Sequence, residues 1–276
     1  MSKGITYILI ASLFFALING LVKFLKGIPA IEIVFFRSMV TLILSGALVL
    51  KNKEKIFPKE TPLLLARGVA GGIALILYFN SIHMMPLATA VTILYLAPIF
   101  TLIFAIFLLK ESPDKRQWPF IILCFVGIVL MKNYDERVSL IGVLMATIAA
   151  MFAGLAYNII RMLKGKASTQ LVIFYFPLVT IPLCLPWLIP QWKSPSFSEL
   201  CLLILIGLAT QVAQVFMTKA YMLEPASKIT HFNYLTSFYA WLTGIIFFNE
   251  YLNTLSLIGL SFVFIGIYFS TKFSSR

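Results

Sequence analysis

The sequence predicts an all-α integral membrane protein of about ten transmembrane helices arranged as two inverted five-helix repeats. Three observations carry this expectation. Of 276 residues, 61% are hydrophobic and only 12% are charged, too few to clothe an ordinary soluble surface. Apolar runs long enough to cross a bilayer, which takes ~20 residues at helical rise, recur along the whole chain. The chain is also internally duplicated.

The duplication is clearest in residues 86–111, PLATAVTILYLAPIFTLIFAIFLLKE, and 225–250, PASKITHFNYLTSFYAWLTGIIFFNE, which align at an offset of 139 without a gap. Tyr95-Leu96 falls on Tyr234-Leu235, Ile106 on Ile245, and Gly127-Ile128 on Gly266-Ile267. At an offset of 138, Gly4 answers Gly142, Phe14 answers Phe152, Lys23 answers Arg161 and Phe36 answers Phe174. A period this long means two half-molecules rather than a solenoid. They are residues 1–137 and 138–276.

Length and apolarity place the spans at residues 4–22, 31–50, 61–81, 87–109, 118–131, 140–160, 171–189, 200–217, 226–248 and 255–270. The fifth is the shortest. Five spans per half is an odd number, so the second half enters the membrane from the opposite side. That makes an inverted repeat about an axis in the membrane plane, the architecture of many secondary transporters, with the site near the midplane.

The net charge of +12 acts here through position, as a topological signal rather than a nucleic-acid footprint. The side holding both termini and the loops after spans two, four, six and eight carries 16 Lys and Arg, Arg67 among them, against 5 on the other side. Those five are Lys23, Lys26, Lys132, Arg137 and Lys193. The positive-inside rule then puts both termini in the cytoplasm of a protein of the cytoplasmic (inner) membrane. A signal peptide is the competing reading of Lys3 and its apolar run. The match of residues 4–23 to 142–161 argues that the segment is retained.

Candidate site residues are the polar groups inside spans, because hydrocarbon leaves them no water to bond. Span one carries Asn19, and span six carries Tyr157 and Asn158. Span two opens with Glu32 and places Arg37 further in, either snorkelling to the headgroups or facing an aqueous cavity. The repeat partner of Arg37 is Tyr175, so this charge breaks the symmetry. Tyr78 and Tyr95 join the cavity set from spans three and four. In span eight Gln211, Gln214 and Thr218 share a face, as interhelical glue or as cavity lining. Span nine aligns Ser227, His231, Tyr234, Phe238 and Trp241 on one stripe, of which His231, Tyr234 and Trp241 are assigned to the lining. Asn233 points off that stripe, and His83 is expected to be solvated in a turn.

Pro98 near the middle of span four and its partner Ser237 are the candidate hinge. Pro177, Pro182 and Pro186 predict a kinked or broken span seven. Gly68, Gly71, Gly72 and Gly154 read as packing devices. Cys124, Cys184 and Cys201 have neither metal-ligand nor disulfide spacing, and no P-loop or dinucleotide motif occurs.

Phe35-Phe36-Arg37, the Ala88 to Pro98 segment closed by Leu109-Lys110-Glu111, and the echoes Glu224-Pro225-Ala226 and Asn249-Glu250 resemble the drug/metabolite transporter superfamily, within it the EamA family. The resemblance covers nearly the whole chain. It departs at Ser237, where the family's second half usually also has proline. It implies a central cavity lined by spans one to four and six to nine, with five and ten peripheral. The implied activity is movement of a small organic metabolite, such as an amino acid, nucleoside-like compound or amine, by alternating access. Expected partners are that small-molecule substrate and the lipid bilayer, without nucleic acid or cofactor, in a monomer or homodimer.

No carboxylate lies central in a span. Either His231 or Glu32 couples protons, or the carrier is a facilitator or exchanger. The competing classes are a membrane-embedded enzyme, for which two separated histidines and no intramembrane acid give no catalytic set, and a scaffolding subunit.

Overall fold

The computed structural model describes residues 3–110, 115–133, 135–224, 234–251 and 253–273. Every regular element among them is helical: α1 (Lys3–Phe24), α2 (Ala30–Lys51), α3 (Thr61–Met84), α4 (Leu87–Leu94), α5 (Ala97–Leu108), a 3₁₀ turn (Lys115–Gln117), α6 (Trp118–Asn133), α7 (Leu140–Met162), α8 (Thr169–Gln191), α9 (Phe197–Leu223), α10 (Tyr234–Phe248) and α11 (Thr254–Phe273). Seven segments of the described residues are long and apolar enough to cross a membrane, with α4 and α5 counting together as Leu87–Leu108. The expected ten spans add α6, α10 and α11, which fall short of that standard over their described residues.

Helix ends follow local chemistry. Ser139 and Ser168 accept hydrogen bonds from the Gly142 and Leu171 amides, and Ser196 forms a reciprocal capping box with Glu199. Such caps satisfy amides that have no intrahelical partner. Two stops answer each other across the duplication. Lys110 after α5 and Asn249 after α10 both adopt left-handed backbone, with φ of 55° and 51°. At the second, the Glu250 amide returns to the Gly244 carbonyl at 2.9 Å, closing the helix by a bond one residue wider than the six-to-one bond of a Schellman turn.

Extensive packing runs between the halves. α1 lies on α9, as α3 lies on α7; α2 lies on α9, as α3 lies on α8; α5 packs on α7, as α10 packs on α1. α2 meets α8, α4 meets α10 and α6 meets α11. Glycines set how close these crossings come. A Cβ at Gly68 would stand 2.8 Å from Val179 Cβ, and one at Gly207, its repeat partner, 2.5 Å from Val40 Cβ. At Gly154 it would stand 2.7 Å from the Thr101 amide nitrogen and 2.8 Å from the Ala97 carbonyl. These glycines are packing devices, because the neighbouring helix occupies the volume of a side chain.

Two expectations are corrected. Span four is two helices: α4 ends at Leu94 and α5 begins at Ala97. Pro98 has no N–H for the Leu94 carbonyl, and the chain tightens, Leu96 donating to the Ile93 carbonyl at 3.0 Å. Span seven, expected to be kinked or broken, is not broken: Pro177, Pro182, Pro186 and Pro190 all lie inside the continuous α8. Packing against α2 and α3 keeps it helical through the missing bonds.

Gly154→Leu forces backbone apart at the α5–α7 crossing and is expected to destabilise the fold by about 1–3 kcal/mol, the usual range for overpacking. Gly46→Ala meets only an ordinary contact, 3.4 Å from the Phe174 ring, and should be neutral or gain up to ~1 kcal/mol of helix propensity. Thermal unfolding in detergent compares the two.

Candidate functional site

A cavity of about 140 Å³ lies between the halves at the α4–α5 break. Asn19, Arg37, Tyr78, Tyr95 and Pro98 line it from the first half, and Tyr157 and Gln214 from the second. The first-half lining residues Phe15, Ile18 and Asn19 and the second-half ones Ala153, Ala156 and Tyr157 are related by the 138-residue offset. A larger groove of about 670 Å³ between α1, α9 and α10 has no charged side chain in its lining. The smaller, polar cavity is therefore the candidate site.

Arg37 is 3% exposed and does not snorkel. Its guanidinium carbon lies 5.3 Å from the Phe79 ring centroid and 5.8 Å from that of Phe176. The cavity also holds Arg67, which sequence reasoning counted with the basic residues of the cytoplasmic side. Arg67 is 3% exposed and stacks over Phe176 at 4.2 Å. Its Nη2 donates to Gln214 Oε1 at 3.4 Å, whereas Nε and Nη1 have no partner among the described residues. A signal for it was present. Gly71 follows one turn later, and a Cβ there would collide with Arg67 Nη1. Here the glycine one turn on leaves the space that the Arg67 guanidinium occupies. On the facing side, the Tyr157 ring stacks on Tyr221 with centroids 4.8 Å apart.

Three expected lining residues do not line this cavity. Asn158 donates to the Thr101 carbonyl at 2.9 Å and the Gly154 carbonyl at 3.1 Å, clamping α7 to α5. Gln211 is buried outside the lining, with no partner for its amide among the described residues. Trp241 is half-buried, its centroid 6.1 Å from exposed Phe238. His231 lies outside the described residues, as do the side chains of Tyr234 and Ser237. Ser227 and Asn233 lie outside them too.

One end of the bundle is latched by ions. Lys23, counted among the basic residues of the side opposite the termini, is buried: Nζ meets Glu250 Oε1 at 2.9 Å and donates to the Met85 carbonyl at 2.6 Å. Glu250 Oε2 accepts from the Leu87 amide at 2.8 Å. The carboxylate thus ties the ends of α1 and α10 to the start of α4. His83, expected to be solvated, is half-buried with Nε2 3.2 Å from the Val22 carbonyl. Glu32 is fully buried and accepts from the Lys193 amide at 3.0 Å. Nearby, Asp135 pairs with Arg137, whose Nη2 also donates to the Tyr251 carbonyl at 2.5 Å.

The structure is thus a polytopic helix bundle with a polar, charged cavity between its two halves. The EamA-like transporter family matches twice, over residues 2–132 and 140–272. The chain belongs to that family and is a multi-pass membrane protein. It is 29% identical over 262 residues to the Pseudopaline exporter CntI of Pseudomonas aeruginosa, covering 94% of this chain and 92% of that one. The S-adenosylmethionine uptake transporter of Rickettsia prowazekii is 24% identical, covering 90% and 85%. Solute carrier family 35 member G1 of Homo sapiens is 28% identical, covering 90% and 73%. A solved crystal structure aligns with a TM-score of 0.68 at 17% identity over 99% of this chain and 96% of its own, which shows a shared fold. Family and relatives are transporters rather than enzymes.

Two outcomes follow from the latched end. Glu250→Gln removes the charge from bonds worth about 2 kcal/mol and lowers thermal stability. Combined with Lys23→Met it costs less than the two single changes summed, because a buried cation left alone is penalised. The Arg137 hydrogen bond holds the Asp135 carboxyl below its ordinary range. Its stabilisation is present at neutral pH and is lost as pH falls through that depressed value. Asp135→Asn should therefore flatten the acid limb of melting temperature against pH.

Proposed function

We propose that the chain is a secondary transporter, working as a carrier, facilitator or exchanger, that moves a small organic metabolite across the cytoplasmic membrane by alternating access. The observation that carries this reading is a cavity lined from both family repeats at the break between α4 and α5. Broken helices at the interface of repeats are where secondary transporters hold their substrates. The packing supports ten spans in two inverted repeats, because exchanging the halves maps each major crossing onto another or onto itself. Both termini are then cytoplasmic, and Arg37, Arg67, Tyr78 and Gln214 contact the substrate, with Tyr234 completing the site from α10.

Alternating access needs one closure that opens as another forms. Lys23, Glu250 and the Leu87 amide form the outer closure in this reading. The repeat assigns the inner closure to the partners of Lys23 and Glu250, which are Arg161 and Glu111. Pro98 provides the bend in the first half. Ser237 in the second half lacks the proline, so the hinge is asymmetric.

Purified protein in liposomes should exchange a metabolite without ATP. Arg37→Ala and Tyr234→Ala should each cut the rate at least about tenfold, ~1.4 kcal/mol in barrier, while melting temperature moves little. Wild-type rates in both would remove these residues from the site. In a Cys201→Ser, Ala74→Cys background, Glu250→Gln should increase labelling by an impermeant maleimide applied from outside. Unchanged labelling would count against the outer closure.

A further inference from the structure

We infer that the cavity takes an organic oxyanion carrying two negative charges, whose acidic groups seat between Arg37 and Arg67 while its body lies against Tyr78, Phe79 and Tyr157. The inference rests on the transport reading of this cavity and names the substrate class within it.

Both arginines are 3% exposed, and both guanidiniums lie against one ring, that of Phe176, at 5.8 Å and 4.2 Å. They are no farther apart than the sum of those distances. An arginine carries its charge at any physiological pH, so the cavity wall holds two cations. Among the described residues no aspartate or glutamate lines the cavity. Arg37 has no hydrogen-bond or ion-pair partner among them, and Arg67 leaves Nε and Nη1 unpaired against a single long bond to Gln214. Aromatic faces moderate a cation but do not neutralise it.

The buried lysine is treated differently: Lys23 has Glu250 and two backbone carbonyls. Buried Glu32 has the Lys193 amide on one oxygen and no partner for the other among the described residues, but it lies outside the cavity lining. Intramembrane cations left without a protein counter-charge mark substrate and ion pathways. The free edge of Arg67, Nε with Nη1, is the edge that carboxylates and phosphates bind with two parallel hydrogen bonds. Two guanidiniums therefore fit a dicarboxylate or a phosphate ester, and both repel an amine. Tyr78, Phe79 and Tyr157, all in the lining, supply faces for the carbon body.

The test uses full-length protein in detergent at constant ionic strength. Thermal unfolding is followed with succinate, citrate, glycerol 3-phosphate, inorganic phosphate, uridine, choline and putrescine, since a ligand of the folded state raises its apparent stability. Expected is a saturable upward shift with succinate or citrate, or with glycerol 3-phosphate, and none with choline or putrescine. The rank between the first two and the third identifies carboxylate or phosphate as the recognised group. Arg37→Gln and Arg67→Gln should each weaken the effective ligand at least tenfold. Arg67→Lys should retain part of the binding, keeping the charge and losing the fork. Gly71→Ala, which displaces the Arg67 guanidinium, should weaken it with the charge intact. Ligand-free Arg67→Gln should melt no lower than wild type, because a buried charge without a counter-ion is removed.

A saturable shift with choline, putrescine or uridine alone overturns the inference, as does no shift with any anion, or an anion shift unchanged in both glutamine variants. Uptake of the same solutes into liposomes separates this from the broader reading. Uptake of an amine or uridine without anion binding ends the anion assignment and leaves transport standing. Arginine-dependent anion binding with no uptake of any solute keeps the site and ends the transport reading.

Discussion

The close approach of α3 to α8 is the contact on which the site depends. Gly68, Gly71 and Gly72 turn one face of α3 into bare backbone, and Val179, Phe176 and Thr180 of α8 fill the space where side chains would stand. Phe176 is thereby set over Arg67, and Gly71 leaves Arg67 room to turn into the cavity. In hydrocarbon an arginine elsewhere on α3 would cost several kcal/mol. The glycine face gives it a ring, a glutamine and a cavity instead.

Symmetry builds the cavity and asymmetry equips it. Phe15, Ile18 and Asn19 are matched across the repeat by Ala153, Ala156 and Tyr157, so the walls come from equivalent places in the two halves. The charges do not. Arg37 is answered by Tyr175, whose hydroxyl instead donates to the Ile56 carbonyl at 2.7 Å, and at the offset that matches Gly68 to Gly207 Arg67 is answered by the apolar, buried Ile206. A scaffold that exchanges its halves needs matched walls, whereas recognition of one solute needs groups that are not duplicated.

The fold was largely legible in the sequence because its dominant force has a simple signature. Long apolar runs and a constant offset report membrane insertion and duplication without any knowledge of contacts. The site was legible where polarity alone decided, as with Arg37, Asn19, Tyr157 and Gln214. It was not legible where direction around a helix decided. Asn158 follows Tyr157 directly, yet it turns to the Thr101 carbonyl while Tyr157 faces the cavity. Arg67 was misplaced because its distance from the span end matched a snorkelling cation. The continuity of α8 was hidden because proline removes a bond, and only its neighbours decide whether the helix breaks there.

The segment ending at Glu250 joins these points. Left-handed Asn249 stops α10 and turns the next residue back toward the bundle, which lets a carboxylate outside the helix reach Lys23 and the Leu87 amide. Leu87 opens α4, and α4 leads in eight residues to the break beside the cavity. One carboxylate therefore holds both the end of α1 and the start of the broken span. In the transport reading, its release lets α4 pivot at Leu94 to Pro98, where the proline leaves the Leu94 carbonyl without its helical donor. Lys110 takes the same left-handed backbone after α5 in the first half, so the helix stop itself is repeated. In the transport reading proposed above, a repeated helix stop followed in sequence by glutamate gives each half one closure.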